Sequence, residues 1–200
     1  MENQEKLSVN NKLIIMKKIA LILTYFIVII CDGQSIILPL EERSKGVRID
    51  GAYYKDLDNE LTPYEGTWAG KTNDGNFFKI TLKKIKDYTP NWWKDRLYAQ
   101  YEMRNKDGKL LYSTYDSHIE NSKFKTTGFF KNKEFLDAYF LDNCIEADIR
   151  LRFVDSNNRK LEWEYISIPV MIKIIVGEKQ INDCAKYNEM PQEKFILFKQ

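Results

Sequence analysis

Residues 145–153 read Ile-Glu-Ala-Asp-Ile-Arg-Leu-Arg-Phe, and they alternate without an error. Ile145, Ala147, Ile149, Leu151 and Phe153 take one side, and Glu146, Asp148, Arg150 and Arg152 take the other. A period of two is the period of a strand; a helix, at 3.6 residues per turn, would scatter the same residues around its circumference. Asp155–Asn158 supply turn residues, after which Leu161, Trp163 and Tyr165 alternate with Lys160, Glu162 and Glu164. Two amphipathic runs joined by a turn make an antiparallel pair with one dry and one wet face. The strands of a parallel α/β core would be apolar on both faces.

The same pattern recurs upstream. Phe78, Ile80 and Leu82 alternate with Lys79, Thr81 and Lys83 in the run Phe77–Ile85, and Thr72–Asn76 before it reads as a hairpin turn. In Arg96–Arg104, Leu97, Ala99, Tyr101 and Met103 oppose Tyr98, Gln100 and Glu102. Asn105-Lys106-Asp107-Gly108 then turns the chain into Lys109–Ser113. Phe124–Phe130, Phe135–Leu141 and a closing Phe195–Lys199 add further strands, and a short one is expected at Val47–Tyr54, where Gly51 permits a bend. Residues 34–44, interrupted by Pro39, read as an extended arm or edge strand rather than a helix. Asp56–Pro63 reads as a turn and residues 177–192 as a long loop. The count is about eight to ten strands with no long helix, and closure is the usual remedy for exposed sheet edges. The fold class is therefore all-β, an antiparallel up-and-down barrel or a strongly curled sheet.

Ahead of this domain, Lys17 and Lys18 precede an uncharged run, Ile19–Cys31. As a helix that run spans roughly 20 Å, short of a ~30 Å hydrocarbon core, so residues 1–33 read as a signal peptide with cleavage after Gly33. Residues 34–200 form one domain. Met16 also fits as the initiator, which would place residues 1–15 outside the native chain. Two alternatives stay open, an uncleaved anchor that also uses Leu13–Met16, and an outer-membrane lipoprotein lipidated at Cys31, although Val28-Ile29-Ile30 is a poor lipobox. An exported chain, periplasmic or extracellular, is the expectation, with the membrane met only through the leader or a lipidated Cys31.

Cleavage leaves Cys144 and Cys184. In an oxidising compartment they allow one disulfide, worth about 3–4 kcal/mol if their Cα atoms lie within ~7 Å; otherwise they are two buried thiols. The chain is 44% hydrophobic and 14% aromatic, which suits a folded domain, and the mature part is within about one charge of neutral with acids and bases interleaved. Nucleic-acid binding, which needs concentrated cationic surface, is not expected. A single histidine, His118, matches no zinc spacing and offers no oriented base for a hydrolytic triad, and phosphate loops and dinucleotide fingerprints are missing. No enzyme activity, cofactor or metal is expected. Glu146, Asp148, Glu162 and Glu164 read as exterior charges.

Tyr64-Glu65-Gly66-Thr67-Trp68 carries a Gly-x-Trp at the start of the first barrel strand, which resembles the lipocalin-like superfamily. More closely, the layout resembles a family of secreted bacterial proteins of unknown function and of about this length. The matching parts are a leader ending before Gln34, the block YEGTWAGKTNDGNFFKITLKKI, the strand RKLEWEYIS and the terminal P-x-x-x-F-x-L-x-K. The resemblance implies that Trp68 plugs one end of the barrel, that Gly66 allows close backbone approach, and that an arginine packs on Trp68, for which Arg150 and Arg152 are the candidates.

Two functional readings follow. In the first, an exported lipocalin-like barrel binds a small hydrophobic or envelope-derived ligand inside, lined by Trp68, Phe78, Ile80, Tyr101, Leu151 and Trp163. The same residues serve equally as a filled core. In the second, the protein is a structural or interaction module of the cell envelope that meets a protein partner through a sheet edge or through Trp92-Trp93. Those paired indoles are expected on a loop, where they either bind or lid the barrel mouth.

Overall fold

The computed structural model describes residues 16–19, 21, 35–130, 134–141, 146–167 and 190–200. The chain divides into two units, Met1–Ile36 and Ile37–Gln200. In the first, residues 16–19 and 21 are helical. No helix among the described residues is long and apolar enough to cross a membrane.

Among the described residues the second unit has eleven strands: β1 (Ile37–Pro39), β2 (Tyr53–Lys55), β3 (Gly66–Lys71), β4 (Phe77–Thr89), β5 (Trp92–Arg104), β6 (Leu110–Ser113), β7 (Phe124–Phe130), β8 (Phe135–Leu141), β9 (Glu146–Phe153), β10 (Lys160–Ser167) and β11 (Lys194–Lys199). Eight of them run β5-β4-β3-β11-β10-β9-β8-β7 and return to β5, every pair antiparallel, which closes a barrel. Closure leaves no edge along the wall. Beyond it, β6 pairs with β5, while β1 and β2 add in parallel to the far end of β5.

Alternation sorts the side chains as the sequence predicts. Ala147, Ile149 and Leu151 are buried, whereas Arg150 and Arg152 face out, Arg152 pairing with Glu162 at 2.6 Å. Leu161 and Trp163 stand opposite Phe153 and Leu151, so the two runs read first from sequence do meet in register. At β3, Gly70 lets β11 come close: a Cβ there would run into the carbonyl oxygen of Ile196.

The seam between β5 and β7 is thinner. The two strands share one residue pair, Tyr98 with Lys125, because β7 shifts register between Thr126 and Gly128. Side chains continue the closure from there. Leu97 N–H donates to Thr126 Oγ1 at 2.8 Å, Lys94 Nζ to the Thr127 carbonyl at 2.5 Å, and Arg96 Nη1 to the Thr126 carbonyl at 3.2 Å.

Three expectations are corrected. Residues 34–44 are not wholly extended, since a five-residue helix α1 (Leu40–Ser44) follows β1 directly. Pro39 sits at its N-cap, where the missing N–H costs nothing, and Glu41 and Glu42 in its first turn suit the helix dipole. The strand expected at Val47–Tyr54 is confined to Tyr53–Lys55, because Gly51 at φ 75° turns the chain and Val47 and Ile49 bond to the Tyr54 hydroxyl instead. Trp92 and Trp93 open β5 rather than lying on a loop. The turn before them is only Pro90-Asn91, with Asn91 at φ 85°, so pairing of β4 with β5 resumes at once between Thr89 and Trp92.

Candidate functional site

All six residues expected to line an interior chamber point into the barrel, each no more than 1% exposed. They spend that surface on neighbours inside the barrel. Phe78 lies 5.3 Å from Trp163 and 6.1 Å from Tyr101, and Trp163 stacks on Phe124 at 6.0 Å. The Trp163 indole N–H donates to the Pro191 carbonyl, which removes the one polar demand of that ring.

Trp68 sits at the end where β3 begins. Its N–H donates to the Tyr64 carbonyl at 2.8 Å, and its ring meets Phe153 at 6.0 Å. Tyr64, from the 3-10 turn Thr62–Tyr64, lies 4.3 Å from Phe153, and burial pushes its phenol up to about 12. The cation over Trp68 is neither Arg150 nor Arg152, whose guanidiniums lie outside over Phe135. It is Lys199, with Nζ 5.1 Å from the ring and 2.9 Å from the Pro63 carbonyl that accepts its proton. Pairing of Lys199 with Trp68 across the closing strands puts it there.

At that same end β4 and β5 run on past the barrel as a ribbon, with β2 and then β1 added along β5. The inward row of β4 continues from Phe78, Ile80 and Leu82 into Lys84, Lys86 and Tyr88; the inward row of β5 continues from Leu97 into Asp95 and Trp93. Polarity changes at Lys84, where the oily interior gives way to a layer of buried carboxylates and their partners. Lys84 pairs with buried Asp56 at 3.2 Å and with Glu65 at 3.8 Å. Asp95 accepts from the Tyr53 hydroxyl at 2.5 Å and from Asp56 N–H at 2.9 Å. Burial, and then the Asp95 carboxylate, hold the Tyr53 phenol well above its usual range.

Beyond this buried polar layer stand three rings in one row. Tyr53, Trp93 and Tyr88 occupy matched positions on β2, β5 and β4. Trp93 and Tyr88 lie 5.3 Å apart, Tyr88 is 62% exposed, and Lys86 Nζ stands 4.3 Å over Tyr53 and 5.2 Å from Trp93. Trp92 points to the opposite side, edge-on to Tyr54 at 5.7 Å and under the Arg43 guanidinium of α1 at 4.7 Å. The two indoles therefore do different jobs.

A model of a family of unknown function, DUF6705, matches residues 16–200. The chain belongs to DUF6705. No curated protein and no solved structure matches it.

On its covered side the DUF6705 ribbon buries a lysine. Lys94 is 4% exposed, and burial first, then Arg96 and Arg43, lower its ammonium to about 7 despite Asp87 opposite it. Gly128 leaves the room: a Cβ there would lie 3.2 Å from Ser44 Oγ and 3.7 Å from Lys94 Nζ. His118 is exposed, at the edge of a recess of about 70 Å³ shared with Ser117 and Ser122. Cys31, Cys144 and Cys184, the cleavage site and the loop at 177–189 lie outside the described residues. Sequence reading singled out Trp93 but missed Tyr53, Lys86 and Tyr88; counting by twos onward from Phe78 would have found the last two.

Proposed function

We propose that this DUF6705 barrel is an exported, non-enzymatic interaction module whose working surface is the uncovered face of the β4–β5 ribbon. The observation that carries it is the row Tyr53, Trp93 and Tyr88 at one register on three adjacent strands, outside the barrel and capped by Lys86. Rings that only filled a core would lie under other elements, as Trp92 does. A large exposed ring beside a half-buried indole is the composition of contact surfaces that anchor partners. The interior-carrier reading draws no support from six rings and aliphatic groups packed on one another. Export is supported by the basic start and uncharged run of residues 17–31.

The test is retention of a partner from host envelope and culture extracts on immobilised protein. A Tyr88→Ala/Trp93→Ala double variant should lose the partner and Trp92→Ala should keep it, with all proteins folded by far-ultraviolet circular dichroism. Equal retention by the double variant refutes the surface. Export is tested by the mass of the protein recovered outside the cytoplasm, expected to start at Gln34; an intact cytoplasmic chain refutes it.

A further inference from the structure

The charges beside the three rings narrow the chemistry of the partner. Lys86 and Lys55 are exposed on the same side as Tyr53, and neither makes an ion pair among the described residues. The nearby carboxylates are already committed: Asp56 and Asp95 are buried, accepting from backbone N–H groups, from Tyr53 and from Lys84, and the half-buried Glu65 pairs with Lys84 at 3.8 Å. Three lysines and three carboxylates share this face, but the acids are buried or paired, so the exposed charged ends beside the rings are the ammonium groups of Lys86 and Lys55.

A pyranose ring offers an apolar C–H side that lies on an aromatic face and a rim of hydroxyls that stays wet. A uronate adds a carboxylate at that rim, where a lysine can meet it. We propose that the ribbon binds an anionic polysaccharide, its sugar rings stacked on Tyr88 and Trp93 and its carboxylates paired with Lys86 and Lys55; this rests on the reading of the ribbon as the working surface. Lys86 is held ready for that pairing, since its ammonium rests over Tyr53 and Trp93 rather than in an ion pair with Asp95, its cross-strand neighbour. Adding a carboxylate there neutralises a charge without uncovering the buried acids.

Affinity electrophoresis of the full chain through gels containing polygalacturonate, neutral dextran, polyglutamate or oligo(dT) tests this. Polygalacturonate should retard the wild type, and the other three should not. Lys86→Gln should weaken retardation about tenfold, the equivalent of one charge-assisted hydrogen bond. Tyr88→Ala, at an exposed position, should weaken it at least as much with its melting temperature unchanged. Absence of retardation by polygalacturonate overturns the proposal. So does equal retardation by polyglutamate, which would mean charge alone, or by oligo(dT), which would mean a stacking platform for single-stranded nucleic acid. If polygalacturonate fails while the double variant still loses its partner from extracts, the surface stands with a different ligand; if both fail, neither reading survives.

Discussion

Replacing Lys94 with Met should make the stability of the protein depend less steeply on pH, in a direction fixed by where that lysine sits. The ammonium is buried beside Arg96 and Arg43, and its pKa falls from 10.5 in the unfolded chain to about 7 in the fold. A folded-state pKa that is depressed means the unfolded chain holds the extra proton between those two values. Stability contributed by the neutral amine is therefore fully present above pH 10.5 and lost as pH falls through 7. Between pH 6 and pH 9 the linkage amounts to about 2–3 kcal/mol, at 1.36 kcal/mol per pH unit over the part of the interval above 7. Methionine keeps the unbranched stem but carries no charge, and it gives up the bond to the Thr127 carbonyl at all pH values. Urea denaturation of both proteins at pH 6, 7, 8 and 9, followed by tryptophan fluorescence, reads the difference directly. The stability of wild type relative to Lys94→Met should rise by about 2–3 kcal/mol across the series. A constant gap, or one moving the other way, would refute the argument that burial and neighbouring cations govern this group.

Gly70→Ala should destabilise the barrel by about 2 kcal/mol or more, since the new methyl would meet the Ile196 backbone oxygen, which cannot swing aside as a side chain can; an unchanged urea midpoint would count against that tight crossing. Lys199→Met should cost about 1 kcal/mol and shift tryptophan emission, through loss of the cation over Trp68 and of its bond to Pro63, whereas no change would mean the pair does nothing for end closure. Asp95→Asn should lower the pH at which Tyr53 ionises in an ultraviolet phenolate titration, because a negative charge facing the hydroxyl is removed. It should also cost about 1.5–3 kcal/mol, measured in urea, for the charge-assisted bonds lost.

The barrel wall was legible because its positions obey one rule locally: every second residue from Ala147 through Phe153, or from Phe78 to Leu82, must be oily if one side is dry. What escaped were places where the rule changes its meaning or where distance in sequence intervenes. Lys84, Lys86 and Tyr88 keep the strand period but leave the dry interior, so a search for alternating apolar residues stops at Ile85 and places the two tryptophans on a loop. Helix α1 is a single turn fixed by packing against β2 and β7, too short to show a helical period. The cation on Trp68 comes from Lys199, at the far end of the domain in sequence, and only closure of the barrel says that those two positions are neighbours. Of the candidate site, the sequence marked Trp93 by its oddity, while Tyr53 joins it through a parallel pairing that no local pattern announces.

A single track of side chains on β4 passes from the dry barrel to open water, with Leu82 the last oily step, Lys84 the first charged one and Lys86 the first exposed one. Core and contact surface therefore share one phase, and it can be shifted for one without the other. Inserting one residue between Leu82 and Lys84 would keep Phe78 and Ile80 in place yet turn Lys86 and Tyr88 to the covered side. The outermost rings could in this way be reversed like a switch plate while the wall behind them stays as it is.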